Sequence, residues 1–112
     1  METSSIVTAL SAIAQVSRLK VFRLLVQAGP AGLAAGKIGE MTGIPPSSLS
    51  FHLKELTHAR MVSAQQQGRF VMYSANFETM NSLISYLTEN FCGGNPCNPI
   101  SNCLPALASS SA

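Results

Sequence analysis

A chain of 112 residues is long enough for one domain with a modest core, and its 46% hydrophobic content is typical of a globular protein. Seven Lys and Arg against five Glu give a net charge of +2, which alone indicates no nucleic-acid partner. No apolar run approaches the roughly 20 residues of a membrane helix, and METSSIVTAL lacks the basic region of a signal peptide. We therefore expect a cytoplasmic protein with no membrane partner.

Two helices are predicted at the start of the chain. In the first, Ile6, Leu10 and Ile13 recur at i, i+4 and i+7. Ile6 and the neighbouring Val7 are large apolar side chains near a chain end and suit a dimer contact, although packing on the chain's own core explains them equally simply. The second helix is expected to follow a Ser17 cap and to end at Gly29. Its apolar stripe is Leu19, Phe22, Leu25 and Val26, and its exposed cations are Arg18, Lys20 and Arg23.

The next segment predicts a short helix, a tight turn and a longer helix. After the small-residue connector AGLAAG, the short helix lies in KIGEMTG, with Ile38 and Met41 pointing inward, and stops at Gly43. The longer helix begins at Pro46, a residue that suits the first helical position, and extends to Arg60. Its apolar stripe is Leu49, Leu53 and Leu56. This order of elements is that of a helix-turn-helix.

The other faces of the longer helix carry small hydroxyls, one aromatic ring and one cation. These residues are Ser47, Ser48, Ser50, Phe51 and Lys54. Such a surface can approach a phosphate backbone closely and reach base edges in a major groove. An ordinary amphipathic surface helix shows the same pattern, so the neighbouring elements have to decide between the two interpretations.

An alternating pattern follows Arg60 and predicts a β-hairpin. The strands are MVSAQQQ and RFVMYSA, separated near Gly68. Val62, Phe70 and Met72 are expected in the core, while the outward side chains are Gln65, Gln66, Gln67 and Arg69. A polar hairpin tip beside a helix-turn-helix is typical of the wing of a winged helix. Arg69 would then suit a phosphate or a minor-groove contact, with a merely solvated arginine as the alternative.

A last helix, FETMNSLISYLTENF, is predicted after an Asn76 cap. Its broad apolar stripe needs a surface to pack on, and the first helix of the same chain and of a second chain is the natural candidate. The predicted dimer contacts are Ile6, Leu10, Ile13, Leu83, Ile84, Leu87 and Phe91. We therefore expect a DNA-binding and dimerisation domain over residues 1–91. Residues 92–112, rich in Gly, Pro, Ser and Asn, form a flexible tail that only a ligand or partner would order.

The segment from Ser17 to Ala75 resembles the ArsR/SmtB family of bacterial metal-sensing repressors. The most specific marks are SLSFHLKEL, the following ARMV, and a G-R-x-x-x-Y pattern at Gly68, Arg69 and Tyr73. The resemblance covers about residues 5–91. It implies an α+β, mostly α, winged helix-turn-helix with about five helices and a two-stranded β-hairpin wing. It also implies a homodimer that binds palindromic operator DNA and leaves it when an inducer binds.

The resemblance places the family's groove-facing positions on the longer helix, near its start. These positions are Ser47, Ser48, Ser50 and Phe51, near Pro46. With the residues of the helix surface and the hairpin tip described above, the predicted DNA contacts are Pro46, Ser47, Ser48, Ser50, Phe51, Lys54, Gln67 and Arg69. His52 lies where the family often has a polar residue turned towards the protein. We therefore expect His52 to be mainly structural and to form a hydrogen bond within the domain.

The three cysteines, Cys92, Cys97 and Cys103, all lie in the tail. YLTENFCGG resembles arsenic repressors with cysteines just after the last helix, although Phe91 stands where some have the first of two cysteines. The last helix has no Asp or His for the zinc site of other members. Three soft thiolates suit trivalent arsenic or antimony, whereas zinc usually shows C-x₂-C pairing.

We therefore expect a metalloid-responsive repressor, released from operator DNA by arsenite, antimonite or methylarsenite. Binding would release thiol protons, order the tail against the last helix and disturb the spacing of the two recognition helices. A thiol-redox or zinc- or cadmium-responsive repressor is the alternative on the same fold. The chain lacks the catalytic groups of a cysteine-dependent enzyme, because His52 and His58 are far in sequence from the thiols and no carboxylate orients them.

Overall fold

The computed structural model describes residues 1–89, which form a winged helix-turn-helix of five helices and a three-stranded antiparallel sheet. In chain order the elements are α1 (Thr3–Ile13), α2 (Val16–Ala28), β1 (Leu33–Ala34), α3 (Ala35–Thr42), α4 (Pro46–His58), β2 (Val62–Gln67), β3 (Phe70–Ala75) and α5 (Phe77–Leu87). The predicted fold class is thus confirmed. None of the helices in this part of the chain is long and apolar enough to cross a membrane.

The junction between α1 and α2 differs in detail from the prediction. The N-cap of α2 is Gln15, whose side-chain oxygen accepts a hydrogen bond of 2.8 Å from the Arg18 backbone N–H. The predicted cap, Ser17, lies inside the helix. Arg18 is half-buried rather than exposed, because its Nε donates to the Ala12 carbonyl over 2.7 Å. Arg18 therefore fixes the end of α1 to the start of α2.

The helix-turn-helix closes through a short polar turn. Gly43 ends α3 in the left-handed conformation, with φ of 75°, and its N–H donates to the Gly39 carbonyl over 2.8 Å. Thr42 Oγ1 donates to the Ile38 carbonyl over 2.7 Å, which tightens the same turn. Pro46 is the first residue of α4, as predicted.

The end of α4 is a Schellman motif with an arginine at the usual glycine position. Arg60 has φ of 62°, and its N–H donates to the Thr57 carbonyl over 3.0 Å. The Met61 N–H donates to the Leu56 carbonyl, also over 3.0 Å, and both of these side chains are fully buried. The motif turns the chain from the helix into the wing.

The register of the wing corrects two core predictions. Val62 pairs with Ala75 and Gln67 with Phe70, so Tyr73 and Ala75 lie on the core face while Phe70 and Met72 face away. Phe70 is 65% exposed and Met72 is half-buried outside the core, so both predicted core positions are wrong, whereas Val62 is buried as predicted. The two-residue turn at residues 68–69 fixes this register.

The sheet has one more strand than the predicted hairpin. β1 pairs antiparallel with β3, with Leu33 opposite Tyr73. Gly32, just before β1, has φ of 73°, and a Cβ there would collide with the backbone carbonyl of Tyr73. A glycine is therefore required for β1 to approach β3.

The core lies between the helices and the inner face of the sheet. Leu49, Leu53 and Leu56 of α4 are buried as predicted, and so is Ile38 of α3. The predicted inward position of Met41 is wrong: it is 54% exposed and, with Leu19, lines a shallow cleft between α2 and α3. Within residues 1–89 the buried apolar side chains of the core are Ile6, Ala9, Ala12, Val21, Phe22, Leu25, Ile38, Leu49, Leu53, Leu56, Ala59, Met61, Val62, Ala75 and Leu83.

The last helix packs beside the first. Asn76 caps α5 as predicted, because its side-chain oxygen accepts from the Thr79 N–H over 3.1 Å. A hydrogen bond of 2.9 Å joins the Thr3 and Tyr86 hydroxyls, which places the start of α1 next to the end of α5. The helix ends at Leu87.

Candidate nucleic-acid interface

The predicted contact residues of α4 all lie on the face opposite the core. Pro46, Ser47, Ser48, Ser50, Phe51 and Lys54 are exposed, whereas the three leucines of the same helix are buried. This division follows from the 3.6-residue period, since a leucine at every third or fourth position leaves the other positions to solvent. The helix therefore presents a continuous surface of hydroxyls, one phenyl ring and one ammonium group.

The N-terminus of α4 is open to an anion. Among residues 1–89, no side chain caps the helix, and Pro46 has no N–H to donate. The Leu49 N–H makes the first turn's bond, 2.9 Å to the Pro45 carbonyl. The N–H groups of Ser47 and Ser48 are left at the positive end of the helix dipole, where a phosphate oxygen can accept from them.

The wing carries its polar side chains at the tip. Gln67 and Arg69 are exposed, and the Gln66 side-chain amide donates to the Gly68 carbonyl over 3.3 Å, which steadies the turn. Phe70 lies opposite Gln67 and belongs to the same exposed surface. The sequence interpretation missed Phe70 as a surface residue, although a two-residue turn pairing residues 67 and 70 would have placed the two on one face.

The structure brings α4 and the wing together along a cleft of about 420 Å³. Its lining includes Ser50 and Lys54 from α4, and Ala64 and Tyr73 from the strands. Two of the predicted contact residues of the helix therefore lie directly beside the sheet. A ligand that fills the groove along α4 would also meet the base of the wing.

The charge on this surface is sparse and positive. Within the described part of the chain the ion pair is Lys37–Glu40, at 3.8 Å, so neither Lys54 nor Arg69 is paired with a carboxylate there. Unpaired cations can neutralise phosphates without first breaking an internal contact.

His52 does not behave as expected. Its Nδ1 is buried and has no hydrogen-bond partner in residues 1–89, so the expected hydrogen bond within the domain is absent at this atom. The ring instead lies against the Phe51 ring in an edge-type arrangement, with ring centroids 5.9 Å apart and an interplanar angle of 62°. This arrangement restrains the Phe51 ring on the surface.

The predicted dimer contacts fall into two groups. Ile6 and Leu83 are buried in the chain's own core, and Ile13 is half-buried. Leu10, Ile84 and Leu87 are exposed, by 37%, 36% and 59%. Val7, which the sequence also indicates as a possible dimer contact, is 55% exposed on α1. Phe91 lies outside the described residues.

The described residues contain no group of three His, Cys, Asp or Glu side chains that could hold a metal ion. Cys92, Cys97 and Cys103 lie beyond residue 89, so the predicted metalloid site falls outside the described residues. The predicted boundary between residues 91 and 92 falls there as well.

Comparisons with solved structures agree with this architecture. The chain superimposes with a TM-score of 0.68 on an ArsR-like transcriptional regulator from Rhodococcus sp. RHA1, at 19% identity over 75% of this chain and 76% of that one. It also matches a homodimeric winged helix-turn-helix DNA-binding domain from Mycobacterium bovis, described as a possible ArsR-family regulator. The TM-score there is 0.62, at 20% identity over 85% of this chain and 88% of that one. At these levels of sequence identity the structural similarity shows the fold alone.

Sequence comparison shows the family. Residues 13–63 match the model of a helix-turn-helix domain. Over 76 residues the chain is 33% identical to the transcriptional repressor SdpR of Bacillus subtilis (strain 168), covering 68% of this chain and 81% of that protein. The chain belongs to the ArsR family. An ArsR-family protein is a DNA-binding transcriptional regulator, and in this member α3 and α4 form the helix-turn-helix and the β2–β3 hairpin is the wing.

Proposed function

We propose that this ArsR-family regulator is a metalloid-responsive repressor. In this proposal a homodimer binds double-stranded operator DNA and releases it when trivalent arsenic, or antimony, binds Cys92, Cys97 and Cys103. The observation that carries the DNA-binding part is the exposed face of α4, which joins hydroxyls, a phenyl ring and unpaired Lys54 to an uncapped helix start.

The DNA contacts follow from this surface. In this proposal α4 is the recognition helix and enters the major groove. The N–H groups of Ser47 and Ser48 and the Lys54 ammonium contact phosphates. Ser50 and Phe51 face the base edges. Gln67 and Arg69 at the wing tip reach the neighbouring backbone or the minor groove. The phosphate contacts set the position of α4, and Ser50 and Phe51 read the bases.

The homodimer is supported by apolar side chains of α1 and α5 that residues 1–89 leave exposed. Val7 and Leu10 of α1 and Ile84 and Leu87 of α5 are exposed, and the Thr3–Tyr86 hydrogen bond holds these two helices side by side. Pairing the four residues with their copies in a second chain would remove this surface from water. The Mycobacterium bovis domain with the same fold is described as homodimeric.

The sensor part is supported by the distribution of ligands along the chain. All three cysteines follow α5, and residues 1–89 offer no alternative group of metal ligands. Arsenous acid and three thiols form three As–S bonds and release three water molecules, so the reaction needs no oxidant. Three-coordinate arsenic is satisfied by three thiolates, whereas zinc needs a fourth ligand.

Fluorescence anisotropy of the full chain on a labelled duplex from upstream of its own gene tests both parts. We expect tight binding that arsenite reverses under reducing conditions. The Cys97→Ser variant should bind DNA like the unchanged protein but should not be released by arsenite. The control variant Ser101→Ala, in the same segment, should be released by arsenite like the unchanged protein.

Release by peroxide but not by arsenite would replace the metalloid proposal by a thiol-redox one. Release by zinc or cadmium alone would make the protein a soft-metal sensor. Absence of binding to every promoter fragment would contradict the repressor function itself.

A further inference from the structure

Phe51 is an exposed aromatic residue in the middle of the recognition surface. Its side chain is 55% exposed, although a phenyl ring gains free energy from burial. Its aromatic contact in the described chain is the ring of His52, with ring centroids 5.9 Å apart. The ring is thus restrained on the side of His52 and open on its other faces. An apolar group held in this way is ready to contact a second surface.

The neighbours of Phe51 on the helix allow that surface to come close. One turn towards the N-terminus lie Ser47 and Ser48, and the residue before it is Ser50; all three are exposed and short. Side chains on a helix point towards its N-terminus, so the ring lies over these serines. Because the serines extend less far than a phenyl ring, Phe51 can reach deeper into a groove than its surroundings.

The chemistry of a phenyl ring limits what it can recognise there. The edges of the bases in the major groove present hydrogen-bond donors and acceptors, together with the C5-methyl group of thymine. A phenyl ring offers neither a donor nor an acceptor, so the methyl group is the feature that it can distinguish. Ser50 and the remaining polar side chains are left to read the other bases.

We propose that Phe51 is a specificity-determining residue that reads the C5-methyl group of a thymine in each operator half-site. This inference rests on the proposed insertion of α4 into the major groove. It predicts that operators of this protein carry one thymine per half-site whose methyl group contributes to affinity. Burial of one methyl group corresponds to about a fourfold change in Kd per half-site, and about fifteenfold for both half-sites of a dimer.

Deoxyuridine provides the test, because it removes the methyl group and keeps the base pair. Duplexes bound by the full-length protein are first selected from a random library without arsenite. Each thymine of the selected site is then replaced by deoxyuridine, and Kd is measured by anisotropy. We expect one position per half-site at which the replacement weakens binding about fourfold.

Phe51→Ala supplies the decisive variant. It should bind the thymine duplex more weakly and show the same Kd for the thymine and deoxyuridine duplexes. Phe70→Ala, which removes the other exposed phenylalanine of the same surface, is the matched control and should keep the sensitivity to deoxyuridine. Because Phe51 is exposed, the Phe51→Ala variant should unfold at the same temperature as the unchanged protein. A change in its Kd then reflects lost DNA contacts and not misfolding.

Two results would overturn the inference while DNA binding stands. One is a selected site at which no deoxyuridine replacement changes Kd, and the other is a Phe51→Ala variant that is as sensitive to deoxyuridine as the unchanged protein. Failure of the selection to enrich any duplex would instead overturn the DNA-binding function on which the inference rests.

Discussion

The number of cations on the proposed DNA-binding surface sets the salt dependence of DNA binding. Lys54 and Arg69 lie on that surface, which gives four contacts between a cation and a phosphate in a dimer; the contacts of uncharged N–H groups do not enter this count. The slope of log K against log [salt] is about −0.9 per phosphate contact, so we expect about −3.6. Affinity should then fall about 150-fold between about 50 and about 200 mM salt. Lys54→Gln removes two contacts per dimer and should reduce the slope to about −1.8 and the loss to about 12-fold.

The other cations of the chain have different surroundings. Arg18 donates to a backbone carbonyl and Lys37 pairs with Glu40. Lys20 and Arg23 line the cleft between α2 and α3, and Arg60 lines one beside α1 and α5. We therefore expect them not to contribute to the slope.

Anisotropy titrations of one duplex at several salt concentrations measure these slopes. Lys20→Gln, which removes an exposed cation from α2, is the matched control and should leave the slope at about −3.6. Equal slopes for Lys54→Gln and the unchanged protein would refute the assignment of Lys54 to a phosphate. A much steeper slope for the unchanged protein would show that cations outside this surface take part.

Three further predictions concern stability and assembly. Arg60→Gly should raise the free energy of unfolding by about 0.5–1 kcal/mol in urea titrations, because it relieves a positive φ, whereas Arg60→Ala should bring no gain. Leu56→Ala should lower the same free energy by about 2–5 kcal/mol, since it leaves a cavity in the core. Leu87→Glu should convert the dimer to a monomer, as measured by light scattering. Asn81→Glu, on another part of α5, is the control and should leave the dimer intact. A Leu87→Glu variant that remains dimeric would contradict the proposed interface.

Local chemistry made much of this fold predictable from the sequence. The leucine stripe of α4, the proline at its start and the Asn76 cap depend on residues within one or two turns of each other. The exposed side chains of α4 are predicted as the complement of that stripe. Competing local signals were harder to rank: Ser17 is a good cap residue, but Gln15 reaches the same backbone group from the position where α2 begins.

Features that join distant residues could not be predicted in this way. β1 has two residues and exists because Gly32 lets it approach Tyr73, some forty positions later. Periodicity identifies an apolar face without identifying what covers it. Ile6 and Leu83 therefore looked like Leu10 and Leu87, although the first pair is buried in the chain itself and the second pair is exposed.

The pairing of the wing also limits how its length can vary among related proteins. A single residue added inside β3 would either form a bulge or turn Tyr73 and Ala75 away from the core, because side chains alternate between the two faces. A residue added at the turn, residues 68–69, changes the pairing only at the tip and can leave the pairs near the domain, such as Val62 with Ala75, in place. Insertions in homologous wings should therefore collect at the tip. The reach of the wing can vary during evolution while its attachment to the domain is conserved.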